Sequence, residues 1–97
     1  SAGVCLDTGH TALGHHWRRF VDIAGSRLVH VHASDNHGQY DDHLPPGEGR
    51  LEWSAIAQSL RDAAFTGWIM LELRCPEGDL GTYFQHARAQ ALRLLDP

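Results

Sequence analysis

Apolar residues follow two alternating rhythms along this chain. Short β-prone runs occur at 3–7 (GVCLD), 27–32 (RLVHVH) and 68–73 (WIMLEL). After the first, Trp17, Phe20, Val21 and Ala24 fall at i, i+3, i+4 and i+7, with Gly25 placed to end the helix. After the second, Trp53, Ile56, Ala57 and Leu60 repeat that spacing and stop before Phe65, Thr66 and Gly67. Beyond a break at CPEGD, Tyr83, Ala87, Gln90, Ala91 and Leu94 mark a last helical face. Such spacing is one face of a helix with 3.6 residues per turn. Strand then helix, three times over, predicts βαβ units around a parallel sheet, an α/β fold. No linker or low-complexity segment divides the chain, so residues 1–97 read as one unit.

Strand side chains alternate between faces. If Leu6, Val29, Val31, Leu71 and Leu73 face the helices, then Cys5, Asp7, His30, His32, Met70, Glu72 and Arg74 share the other face. The polar members cluster near the C-terminal ends of the runs, the end at which parallel α/β folds build their sites. His32 is therefore expected beside Asp7 and Glu72.

Imidazole and carboxylate donors converging without cysteines at ligand spacing suit a divalent cation such as Zn²⁺, Mn²⁺ or Mg²⁺. Asp7-Thr8-Gly9-His10 would let His10 fold back over the same opening. The loop adds Asp41 and His43, with Pro45, Pro46, Gly47 and Gly49 shaping the backbone that presents them. Against the cation stands a buried polar network, which is costly for unpaired carboxylates. His30 reads as a hydrogen-bonded core residue and Cys5 as a small core filler. His15, His16, His37 and His86 read as surface or loop residues. Arg74 reads either as a partner for Glu72 or as a clamp for an anionic substrate group. Gly47-Glu48-Gly49 reads as a turn before a helix, lacking the spacing of a phosphate-binding loop.

Composition narrows the classes. The chain has 97 residues, 42% hydrophobic and 21% charged, ordinary for one small globular domain. No apolar run approaches the roughly 18 residues of a membrane span. Twelve acidic against eight basic residues give −4 with no basic run, which argues against gripping a phosphate backbone. Cys5 and Cys75 form no Cys-x-x-Cys pair, which fits a reducing, cytoplasmic setting. The first residues carry no secretory pattern and no initiator Met, so the chain is expected to begin inside something larger.

CLDTGH, HVHASDN, DDHLPPGEGRLEW and IMLEL, in this order, resemble the C-terminal part of the xylose isomerase-like TIM-barrel superfamily. That superfamily contains sugar and sugar-phosphate isomerases and epimerases and the endonuclease IV type of apurinic endonuclease. The resemblance spans nearly the whole chain and implies a partial (β/α)₈ barrel, its strands six to eight. It implies that Asp7, His32 and Glu72 ligate a divalent cation (Mn, Zn or Mg), with His10 near the substrate or a further metal; Glu72 and His10 are the expected catalytic residues and Arg74 the expected substrate contact. In the isomerase branch Glu72 and a second glutamate on strand five would handle proton transfer. In the nuclease branch Asp41, His43 and His10 would hold further zinc. Three βα units cannot close an eight-stranded barrel, so the chain alone is expected to be inactive and, with open sheet edges, prone to self-association. The acidic balance and the absence of Lys favour a small sugar substrate over DNA, and so an isomerase or epimerase over a nuclease, with a non-catalytic metal-binding remnant as a third reading.

Overall fold

The computed structural model describes residues 2–14, 16–74 and 77–95. Its three strands are β1 (Val4–Asp7), β2 (Leu28–Ala33) and β3 (Trp68–Leu71). They form a parallel sheet in the order β1-β2-β3, with α2 (Trp17–Ala24), α3 (Trp53–Asp62) and α4 (Leu80–Leu95) following them in turn. A short helix, α1 (Thr8–Leu13), which the periodicity did not announce, starts directly at the end of β1. Its cause is local: Asp7 caps it, a carboxylate oxygen accepting from His10 N–H at 2.9 Å.

One face of the sheet is dry. Leu6, Val31 and Ala33 are buried against Trp17, Val21 and Ala24 of α2 and Trp53, Ile56 and Leu60 of α3, while Ile69 and Leu71 pack at the border. These are the apolar positions that the helical spacing singles out. Such burial is the main favourable term, about 1.5–3 kcal/mol for each large side chain removed from water. Gly25 ends α2 at φ +53, as its position in the pattern suggests. The end of α3 is a Schellman arrangement, Phe65 N–H donating to Leu60 C=O and Ala64 N–H to Arg61 C=O, with Ala64 at φ +55.

Several expectations need correction. Val29 does not face the helices but is 51% exposed, and Leu28 is buried in its place. The register explains this: Val4 pairs with Leu28 but Cys5 with His30, so an irregularity at Val29 resets the alternation. Cys5 does lie on the face opposite the core, but it is exposed and fills nothing. His30 is half-buried, its ring meeting that of His32 edge-on with centroids 5.0 Å apart, and is no core residue. The third strand ends at Leu71, although Glu72 N–H still donates to Ala33 C=O at 3.1 Å, extending the ladder by one rung. His16, His37 and His86 are exposed as expected, and His15 and Cys75 lie outside the described residues. No helix among the described residues is long and apolar enough to cross a membrane.

The opposite face is open, with Trp68 78% and Met70 53% exposed. In a closed barrel this face would be interior.

Candidate metal centre

The long connection between β2 and α3 is the largest piece of irregular backbone near the strand ends, and one side chain organises it. Asp35 is fully buried. One carboxylate oxygen accepts from Asn36 N–H at 2.8 Å and Leu51 N–H at 3.1 Å. The other accepts from Gly47 N–H at 2.9 Å and the Trp53 indole N–H at 2.7 Å. Its backbone also pairs with Leu44 in an isolated antiparallel bridge. Four donors on one carboxylate satisfy its lone pairs and hold both ends of the loop. Pro45, Pro46 and Gly47 then make a turn with Gly47 at φ +95, closed by Glu48 N–H to Pro45 C=O at 3.0 Å.

Two further buried contacts tie β1 to β2 at their C-terminal ends. Thr8 hydroxyl donates to Ser34 C=O at 2.9 Å and accepts from Ser34 N–H at 3.1 Å. Asn36 amide donates to Gly9 C=O at 2.9 Å. Gly9 must be glycine because a Cβ there would sit 2.6 Å from Ser34 Oγ.

On this scaffold Asp7, His32 and Glu72 come together, each offering one donor atom, all within 4.8 Å of one another. Parallel register carries the effect: Asp7 is paired with His32, and Glu72 follows β3 just beyond the Ala33–Leu71 pair. His32 Nδ1 lies 3.2 Å from a Glu72 carboxylate oxygen. Asp7 keeps its second oxygen available, since the α1 cap uses one. Two carboxylates and an imidazole on an accessible face fit a divalent cation: at metal–ligand distances of about 2.1 Å, donors opposite one another are about 4.2 Å apart, a small closure for side chains this exposed. Cys5 lies on the same face, and burial pushes its thiol pKa up, the Asp7 and Glu72 carboxylates adding to the rise and a backbone N–H from His32 opposing it. The neutral thiol is a poor ligand beside carboxylates.

The other expected residues stand apart from this group. His10 is exposed on α1, and its hydrogen bond to Asp7 runs through the backbone N–H. Asp41 and His43 pair with each other, carboxylate oxygen to Nε2 at 3.2 Å, while His43 Nδ1 bonds the Glu72 C=O at 2.9 Å. Both ring nitrogens thus face acceptors, and the Glu72 carbonyl above all raises the His43 pKa, burial opposing and Asp41 adding to the rise. His43 also sits at φ +54, an uncommon conformation for a residue with a Cβ, held by these contacts and the neighbouring bridge. Arg74 is exposed and, among the described residues, its guanidinium pairs with nothing; its backbone N–H donates to His43 C=O at 3.0 Å. Sequence reasoning missed Asp35, Asn36 and Thr8. The one signal was a run of three polar residues, Ser34-Asp35-Asn36, directly after an apolar strand.

Comparison with known proteins gives a consistent picture. The family described as "Xylose isomerase-like TIM barrel" matches residues 1–95. The uncharacterized protein y4fM of Sinorhizobium fredii is 38% identical over 95 residues, 95% of this chain and 30% of its own length. The uncharacterized protein MJ1311 of Methanocaldococcus jannaschii is 33% identical over 73 residues, 72% of this chain and 25% of its own. Among solved structures, a D-tagatose 3-epimerase-like protein superposes with a TM-score of 0.74 at 26% identity, covering 97% of this chain and 36% of that one. A D-psicose 3-epimerase crystallised with D-fructose gives a TM-score of 0.75 at 23% identity, over 98% of this chain and 38% of its own, and shares the fold. The chain therefore spans about a third of the length of these proteins.

Proposed function

The chain belongs to the xylose isomerase-like TIM-barrel family, and we propose that it carries part of the cation site and one proton-transfer group of a sugar isomerase or epimerase. The observation that supports this is the convergence of Asp7, His32 and Glu72 at the ends of three adjacent parallel strands. A divalent cation bound there would polarise neighbouring substrate oxygens and acidify a C–H bond beside a carbonyl. Asp7, fixed by its cap on α1, and His32 are the holding groups in this reading. Glu72, 3.2 Å from His32 and accessible, is the carboxylate that takes the proton and returns it. Returned to the former carbonyl carbon, that proton isomerises the sugar. Inverting a stereocentre needs a second acid on the opposite face, which must come from outside these three strands. In this reading His10 and Arg74, both exposed, would contact substrate oxygens.

One observation speaks for a second reading, zinc-dependent phosphodiester cleavage: the Asp41–His43 pair could hold another metal. Both His43 nitrogens already face protein acceptors, which favours a loop fastening instead.

Calorimetric titration with Mn²⁺ tests the proposal. The chain should bind one cation, and His32→Ala should weaken binding about tenfold or more, while replacing Asp41 and His43 together by Ala leaves the stoichiometry unchanged. Unaltered affinity in His32→Ala would sink the site. Loss of bound metal in the double variant would favour the nuclease. Within a whole barrel carrying these residues, Glu72→Gln should stop deuterium exchange from solvent into D-psicose or D-tagatose.

A further inference from the structure

The parallel ladder between β2 and β3 stops at Glu72, and the place where it stops is filled. Glu72 N–H donates to Ala33 C=O at 3.1 Å, the last rung among the described residues. In a parallel ladder every second residue gives its N–H to one residue of the neighbouring strand and takes, at its C=O, the N–H of the residue two further on. The next bond would therefore run from Asp35 N–H to Glu72 C=O, and the one after it from Arg74 N–H to Asp35 C=O. Both are replaced. Asp35 N–H donates to Leu44 C=O at 2.7 Å, and Leu44 N–H to Asp35 C=O at 2.9 Å. Arg74 N–H donates to His43 C=O at 3.0 Å, and Glu72 C=O meets His43 Nδ1 at 2.9 Å. His43 and Leu44 thus form a wedge between the ends of β2 and β3, occupying the groups that would otherwise pair the strands.

The two halves of the wedge differ. Leu44 meets β2 with backbone groups on both sides of its bridge to Asp35. On the β3 side the backbone supplies only the acceptor for Arg74, and the donor for Glu72 C=O is a side chain. A carbonyl oxygen only accepts, so the proton of that bond sits on Nδ1 of the imidazole. Asp41, 3.2 Å from Nε2, fixes the other side of the ring. Reaching this position takes His43 to φ +54, a backbone that few residues with a Cβ adopt. Glu72 itself is exposed and lies beyond the last residue of β3, where a strand end frays unless something fastens it. Ala33 holds its N–H from one side, and His43 holds its C=O from the other.

We propose that His43 is a positioning residue of the metal centre: its imidazole stands in for a rung of the ladder, holds the Glu72 backbone away from β2, and so sets the gap across which the Glu72 and His32 side chains face a cation. The inference rests on the cation reading for what Glu72 does, but not for how Glu72 is held. It also gives the Asp41–His43 pair a task that needs no metal of its own.

Two measurements on the chain test it. In the metal-free protein, hydrogen exchange followed by NMR reads how Glu72 is held. His43→Ala should lower protection at the Glu72 and Arg74 amides about fivefold or more, and His43→Asn should restore it, because an Asn amide nitrogen stands where Nδ1 stood and Asn tolerates positive φ. Calorimetric titration with Mn²⁺ reads the effect on the site. His43→Ala should still bind one cation, about five- to tenfold more weakly than wild type, whereas His43→Asn, with no group in place of Nε2, should stay within about twofold. In a Glu72→Ala background the same His43→Ala change should alter affinity by less than about twofold, since His43 acts through the Glu72 carboxylate; a general loosening of the loop would lower affinity equally in both backgrounds. A wild-type chain that binds no Mn²⁺ but shows the expected exchange pattern defeats the cation reading alone and leaves the hold on Glu72 standing. Unchanged protection or unchanged Mn²⁺ affinity in His43→Ala, failure of His43→Asn to restore either, or equal losses in the two Glu72 backgrounds overturns the assignment of His43.

Discussion

Replacing Asp35 by Asn keeps the volume of a fully buried side chain and removes half of its accepting capacity. Each carboxylate oxygen serves two donors: Asn36 and Leu51 amides on one, the Gly47 amide and Trp53 indole on the other. Whichever oxygen becomes the amide nitrogen, two N–H groups then face another donor. Hydrogen bonds to a charged acceptor contribute about 1.5–3 kcal/mol each, so the loss is about 3–6 kcal/mol. A domain of this length has only about 5–15 kcal/mol in hand. The consequence is local before it is global, because the loop hangs on this one group. Hydrogen exchange followed by NMR reads it directly: protection at the Gly47 and Leu51 amides and the Trp53 indole should fall about 10²- to 10⁴-fold. His43, next to Leu44 of the Asp35–Leu44 bridge, should lose its bond to Glu72 C=O at the same time. A drop in protection of less than about fivefold, or about 1 kcal/mol, would refute the assignment of Asp35 as the organising group.

The fastening of the loop should depend on pH. The His43 pKa is raised, chiefly by the Glu72 carbonyl, so its contribution is complete below the ordinary histidine value of about 6.5 and is lost as pH climbs through the higher folded value. An NMR titration of the His43 ring, with loop exchange rates measured in parallel, should show loosening on the alkaline side, and His43→Ala should abolish that dependence. At the end of α3, Ala64→Gly should stabilise the fold by about 0.5–1 kcal/mol in urea denaturation, since Ala64 adopts φ +55 where glycine meets no Cβ penalty.

Periodicity alone determined the three βα units. Trp17, Val21, Trp53, Ile56 and Leu60 fill the core because a 3.6-residue repeat has one buried face wherever the helix is laid. The company of Asp7, His32 and Glu72 was also legible, because period-two alternation in parallel strands of equal register leaves little freedom. Parity failed at Val29, where one residue of irregular pairing inverts the faces and no residue type announces it. Nor could sequence place His10 relative to the donor group, because the α1 cap at Asp7 is a local competition between strand and helix. The loop was the least legible part. Asp35 finds its partners at Gly47, Leu51 and Trp53, and Arg18 and Arg50 line one cleft from separate segments. Contacts at such separations carry no periodic signal in the chain. They exist only once the parallel sheet has fixed where the loop starts and where α3 brings it back.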